Sequence, residues 1–99
     1  MVIRVDIDET ICTSPPDRNY ANATPIRERI EHINDLYDAG HTIIYWTARG
    51  ATTGIDWREV TEKQFEKWGV KYHDLHLDKP AFDLFIDDKV MEANAYFHT

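Results

Sequence analysis

Two carboxylates and a hydroxyl, Asp6, Asp8 and Thr10, alternate in the stretch Val2-Ile3-Arg4-Val5-Asp6-Ile7-Asp8-Glu9-Thr10. A carboxylate can attack an electrophilic centre, move a proton or ligate a hard divalent cation. Alternation along an extended chain sends Asp6 and Asp8 to the same side, where both can face one bound group. A second set of polar groups follows the apolar run His41-Thr42-Ile43-Ile44-Tyr45-Trp46, namely Thr47-Ala48-Arg49-Gly50. A hydroxyl, a guanidinium and a glycine make an anion-binding turn, with Gly50 letting the backbone approach a ligand closely. The same residues also read as a plain glycine turn carrying a surface Arg. A third apolar run, Asp83-Leu84-Phe85-Ile86-Asp87-Asp88, again ends in paired acids, and Lys79-Pro80 precedes it.

Regular elements must position these groups. Val2 onward is apolar and β-branched and predicts a strand. Residues 9–22, with Pro15-Pro16, read as a long loop beside the site. Thr24-Pro25 has the chemistry of a helix start, and Ile26, Ile30, Ile33, Leu36 and Tyr37 recur at helical spacing up to a stop at Gly40. The second strand ends at Trp46. A second helix spans roughly Asp56 to Trp68, with Trp57, Val60, Thr61, Phe65 and Trp68 on one face; its Trp residues read as core rather than ligand platforms. Residues 70–77 and 83–88 supply a third and a fourth strand, and Val90, Ala93, Asn94 and Phe97 trace a short closing helix. Strands alternating with helices predict a three-layer α/β/α, Rossmann-like parallel sheet. In such a sheet every strand's carboxyl end reaches one edge. Asp6, Asp8, Thr47, Asp87 and Asp88 are expected to converge there.

Composition narrows the function classes. Ninety-nine residues make a single domain, 1–99, with one core. A net charge of −7 argues against a nucleic-acid partner, which needs a basic surface. Phosphorylated substrates stay open where a divalent metal neutralises the site. The single cysteine, Cys12, cannot form an internal disulfide and fits a reducing cytoplasm. No basic partner to lower its pKa is evident, so it reads as packing. Arg4, Asp6 and Asp8 interrupt the first apolar run, so no signal peptide is expected in this stretch, and no stretch reaches membrane-spanning length. His73 and His76, with Asp74 and Asp78, match no common zinc spacing.

The set of motifs, in order, resembles the haloacid dehalogenase (HAD) superfamily across nearly the whole chain. Asp6-Ile7-Asp8-Glu9-Thr10 looks like its D-x-D-x-T motif, Thr47 its second, Lys79 its third and Ile86-Asp87-Asp88 its acidic fourth. Lys71 and Lys89 are rivals for the third. The resemblance implies a magnesium-dependent phosphatase working through an aspartyl-phosphate. Asp6 is then the nucleophile and Asp8 the general acid and base. Thr47 bonds the phosphoryl oxygens, and Lys79 neutralises charge. Asp6, the Asp8 carbonyl and Asp87 become magnesium ligands, with Asp88 joining directly or through water. Thr10, Thr47, Ala48, Arg49 and Lys79 are the expected substrate-binding set; Arg49 lies outside the family's four motif positions and is included because a guanidinium can grip phosphate or carboxylate two-pronged.

Many relatives carry an inserted cap domain, and this chain has no room for one, so the resemblance is to a minimal, capless HAD-like core. Capless members act on large substrates or cover the site with a neighbouring subunit, which makes a homo-oligomer the expected arrangement. The "WTARG" and "DKPAFDLFIDDK" stretches are similar to small proteins associated with bacterial surface-polysaccharide synthesis. That similarity points to a small phosphorylated metabolite such as a sugar phosphate. The competing readings are a non-catalytic member of the fold that binds a metal or phospholigand, and a receiver-like signalling domain.

Overall fold

A computed structural model describes residues 1–98. The first strand, β1 (Val2–Val5), pairs in parallel with β4 (Thr42–Trp46), Val2 opposite Thr42 and Val5 opposite Tyr45. On its other side β4 pairs in parallel with β5 (Asp74–His76), Ile44 opposite Asp74 and Trp46 opposite His76. The sheet order is therefore β1-β4-β5. Helix α1 (Arg27–Asp38) connects the first pair and α2 (Arg58–Trp68) the second. Parallel neighbours require such crossovers. A short helix, α3 (Ala93–Phe97), closes the described chain.

The core follows the predicted stripes. Val5, Ile7, Ile11, Ile30, Ile33, Ile43, Tyr45, Phe65, Trp68 and Leu75 are buried together, and Leu36 and Tyr37 pack against them. Phe65 meets Tyr45 and Tyr72 edge to face, at ring-centroid distances of 4.9 and 5.1 Å. Tyr45 is fully buried and its hydroxyl has no hydrogen-bond partner.

Three expectations are corrected. Thr24-Pro25 does not start the helix: it forms β3 (Thr24–Pro25), antiparallel to β2 (Cys12–Thr13). The Ile26 amide continues that ladder to the Ile11 carbonyl, 2.8 Å away. A β-branched residue followed by a fixed-φ proline suits an extended chain as well as a helix start. The loop over residues 9–22 is thus partly structured, by β2 and a 3-10 turn at Tyr20–Asn22. The fourth strand is not formed. Residues 83–88 carry no ladder and lie within a run, 80–92, in which every residue is exposed. Its apolar residues favour a strand, and a strand needs a neighbour to bond.

Gly50 is required by the chain itself. Its φ is +84°, and an added Cβ would overlap the Ile55 carbonyl oxygen. Gly69 ends α2 with φ +69° and open space around it. Gly69→Ala should cost about 1 kcal/mol, the left-handed penalty alone. Gly50→Ala should cost more, because the loop after β4 must also shift. Urea unfolding of the two variants at pH 7 measures the difference.

Candidate functional site

The chain leaves β1 at Val5 and turns tightly. The Ile7 carbonyl accepts from the amides of Thr10 and Ile11, at 3.1 and 2.9 Å. The Glu9 amide reaches the Cys12 carbonyl, with Glu9 at φ +61°. Ile7 and Ile11, both fully buried, anchor this turn in the core. Asp6 and Asp8 thereby stand at the carboxyl edge of the sheet, and they have opposite surroundings.

Asp8 is locked. Arg49 Nε donates to its Oδ2 and Nη2 to its Oδ1, each at 2.9 Å, a two-pronged ion pair. Ser14 Oγ donates to Oδ1 at 2.7 Å, and the Cys12 thiol lies 3.5 Å from the same oxygen. Burial by itself would raise the Asp8 pKa; the Arg49 bonds and charge, with Ser14, outweigh it and hold the carboxyl below its ordinary value. Arg49 is 2% exposed and comes from the turn after β4. Its Nη1 donates to Thr61 Oγ1 at 3.0 Å and Gln64 Oε1 at 2.7 Å, both on α2. The Tyr20 ring lies 4.9 Å from its Cζ. An Arg expected to grip substrate is instead an internal brace, and its donors are taken up by the protein.

Asp6 is open. Its side chain is 40% exposed; Oδ1 accepts the Ile7 amide at 2.8 Å, and Oδ2 lies 3.7 Å from Lys79 Nζ. Burial pushes its pKa up and the Asp8 charge adds to this, while Lys79 and the Ile7 amide offset only part. Lys79 is fixed by its own amide, bonded to the Thr47 carbonyl at 3.2 Å. Its ammonium sits 5.5 Å from the Trp46 ring and 5.4 Å from the Phe82 ring. Of the three lysines considered for this role, Lys79 is the one beside Asp6. Lys71 pairs with Asp38 at 2.9 Å, and Lys89 lies in the exposed run.

Thr47 is buried at the same edge. Its amide donates to the His76 carbonyl at 2.9 Å, and its Oγ1 accepts the Arg49 amide at 3.2 Å. Ala48 is half-buried in the turn, where its carbonyl accepts the Ala51 amide. Thr10 is tied on its backbone, its carbonyl accepting from Arg29 Nη1 at 3.2 Å. Burial and the Asp8 charge push the Cys12 thiol up to about 12, so it is not a nucleophile here.

Asp87 and Asp88 do not join this group. Both lie in the exposed run, where Asp87 Oδ1 accepts the Lys89 amide at 2.8 Å. Among the described residues no three acid, His or Cys side chains are gathered to hold a metal. The donor set that the resemblance implies for magnesium is therefore incomplete within one chain. Two clefts of about 250 and 320 Å³ lie elsewhere, with neither Asp6, Asp8 nor Lys79 in their walls.

Ser14, Tyr20, Thr61 and Gln64 were not expected at the site. Thr61 and Gln64 carried a signal: polar groups three apart on the core face of α2 need a buried partner. Ser14 and Tyr20 carried none, since only tertiary folding of the loop brings them in.

No protein-family model matches the chain, and no curated protein does. Among solved structures it is similar to the crystal structure of a structural-genomics target from Vibrio cholerae, at 25% identity and a TM-score of 0.82. The likeness covers 95% of this chain and 85% of that one. Among the described residues no helix is long and apolar enough to cross a membrane.

The two acids should respond oppositely to neutralisation. Asp8→Asn strands a buried guanidinium and should cost about 3 kcal/mol at pH 7. With the folded pKa depressed, that stability is present above the unfolded value near ~3.9 and fades as pH falls below it. Asp6, with its folded pKa raised, contributes stability at low pH that is lost as pH rises through the folded value. Asp6→Asn should thus match or exceed the wild-type urea midpoint at pH 7, and the Asp8→Asn deficit should shrink below pH 4.

Proposed function

We propose that this protein is a phosphoric monoester hydrolase in which Asp6 is the nucleophile, built on a three-layer, HAD-like core. The observation that carries this reading is the Asp6–Lys79 pair: a half-open carboxylate at the sheet's carboxyl edge, 3.7 Å from a fixed ammonium. An Asp6 oxygen attacks phosphorus, the bond to the leaving oxygen breaks, and an aspartyl-phosphate results. Water then attacks that intermediate and frees phosphate and Asp6. Lys79 offsets the negative charge that gathers on the phosphoryl oxygens and holds Asp6 ionised against its burial. Thr47 fixes the floor of the site through its bonds to Arg49 and Lys79.

Asp8 serves as proton donor only when the Arg49 bonds loosen, since a carboxyl held ionised has no proton to give. In the observed arrangement it positions the turn that carries Asp6. Magnesium, implied by the resemblance, would supply charge neutralisation. The donors within one chain do not gather for it, so no step is assigned to it. The same lock on Asp8 favours a second reading, a protein that binds a phosphorylated ligand without turning it over. The resemblance of two short stretches to proteins associated with surface-polysaccharide synthesis makes sugar phosphates the first compounds to offer.

Phosphate release from a panel of phosphomonoesters, with magnesium and with chelator, tests the proposal. Release should vanish in Asp6→Asn and fall about 10²-fold or more in Lys79→Ala. Binding of phosphate or a sugar phosphate without turnover would select the second reading.

A further inference from the structure

The two crossover helices leave one face of the sheet open. Val5, Ile43, Tyr45 and Leu75 are buried together with Ile30 and Ile33 of α1 and Phe65 of α2, so both helices cover the same face. The register sets the opposite face in two rows. Arg4 lies level with Ile44 and Asp74, and Trp46 with His76. One step past Val5 and Tyr45, Asp6 falls in the row of Trp46. None of these residues of the opposite face is buried, and Arg4 is exposed. Arg4 and Asp6 therefore share the open face, two residues apart on one strand.

Arg4 differs from the other cations near the site. The chain holds 18 acids against 11 Lys and Arg, and Arg49 and Lys79 both stand beside carboxylates. Among the described residues the Arg4 guanidinium makes no hydrogen bond or ion pair; it lies over the Trp46 ring, 5.4 Å from the centroid. Trp46 stands one row nearer the carboxyl edge than Arg4, so the guanidinium leans toward the level of Asp6. The indole is itself fixed, its Nε1 donating to Asp78 Oδ1 at 2.9 Å. A guanidinium held over an aromatic face keeps its donors free for a ligand. The same ring carries Lys79, whose ammonium lies 5.5 Å from it. Trp46 thus holds two cations on one face, one beside Asp6 and the other unpaired.

We propose that Arg4 binds a carboxylate of the ligand, so that the protein takes phosphorylated hydroxy acids. The phosphoryl group meets Asp6 and Lys79, as in the hydrolase reading on which this placement rests, and the carboxylate meets the Arg4 fork. The two cations are separated by no more than their two distances to the Trp46 ring taken together. A charge-assisted hydrogen bond of about 2.8 Å at each end leaves room for only a short carbon path between the two anions. A carboxylate suits Arg4 better than a second phosphate. One guanidinium balances its single charge, whereas a phosphate of about −2 leaves charge over, on a chain already at −7. Uncovered by either helix, the face admits the acid end from solvent.

3-Phosphoglycerate and glycerol 3-phosphate are a matched pair, differing in a carboxylate against a hydroxymethyl group. In the full chain carrying Asp6→Asn, where turnover should vanish, titration calorimetry should show 3-phosphoglycerate bound about tenfold more tightly or better. Adding Arg4→Gln should abolish that preference. Arg4→Lys should restore only part of it, since an ammonium keeps the charge without the fork. Lys67→Gln removes an equal charge from the exposed face of α2 and should leave the preference intact, which separates a site from the field of the whole chain. Arg4 is exposed, so its variants should keep the circular dichroism of the parent chain. Equal binding of the pair, no binding of either, or a preference that survives Arg4→Gln would overturn the carboxylate site. With Asp6 in place, phosphate release should favour 3-phosphoglycerate by the same factor. A binding preference without release keeps the site and removes the hydrolase reading; release that ignores the carboxylate does the reverse.

Discussion

A buried guanidinium organises this molecule. Arg49 enters from the turn after β4 and meets the Asp8 carboxylate, the Cys12 sulfur, Thr61 and Gln64 of α2, and the Tyr20 ring. A cation withdrawn from water is strongly unfavourable unless its donors are all met. Satisfying Arg49 therefore fixes the β1 turn, the loop that follows it and α2 relative to one another. The contact is polar, so it constrains direction as well as distance, which apolar packing around Ile7 and Ile11 alone would not do.

That constraint divides the labour between two acids two residues apart. Asp8 spends its oxygens on Arg49 and Ser14, while Asp6 keeps an exposed side chain and a lysine partner. Their pKa shifts run in opposite directions for this reason. Environments that separate like groups in this way are how a pair of carboxylates comes to hold two roles. One acid fixes the scaffold, and the other is left available at the surface it creates.

The elements that bury a face were legible from the sequence. The α1 stripe of Ile30 and Ile33, the α2 stripe ending at Trp68, and the runs of β1 and β4 all carry the period of the structure they adopt. The nearness of Lys79 to Asp6 was implied by the family resemblance alone, since the strand pattern put Lys79 ahead of a fourth strand rather than at the carboxyl edge. What escaped were outcomes decided by partners distant in sequence. Thr24-Pro25 became a strand because β2 was there to pair with it. Residues 83–88 have strand composition, but their state depends on an edge that composition does not reveal. Arg49 looked like a surface grip because nothing local announces that Asp8, Thr61 and Gln64 will close around it.

The register of the main sheet has a kinetic consequence. Val2 pairs with Thr42 and Ile44 with Asp74, so neither ladder is a hairpin, and each joins residues separated by a whole crossover. No strand pair of this sheet is local enough to form early and guide the next. Closing such loops costs entropy before any ladder bond is made, which places folding among the slower classes for a chain of this length. Among the described residues α1 and α2 are the only sizeable elements able to form locally during that interval, and their apolar stripes are the surfaces on which a nucleus would draw.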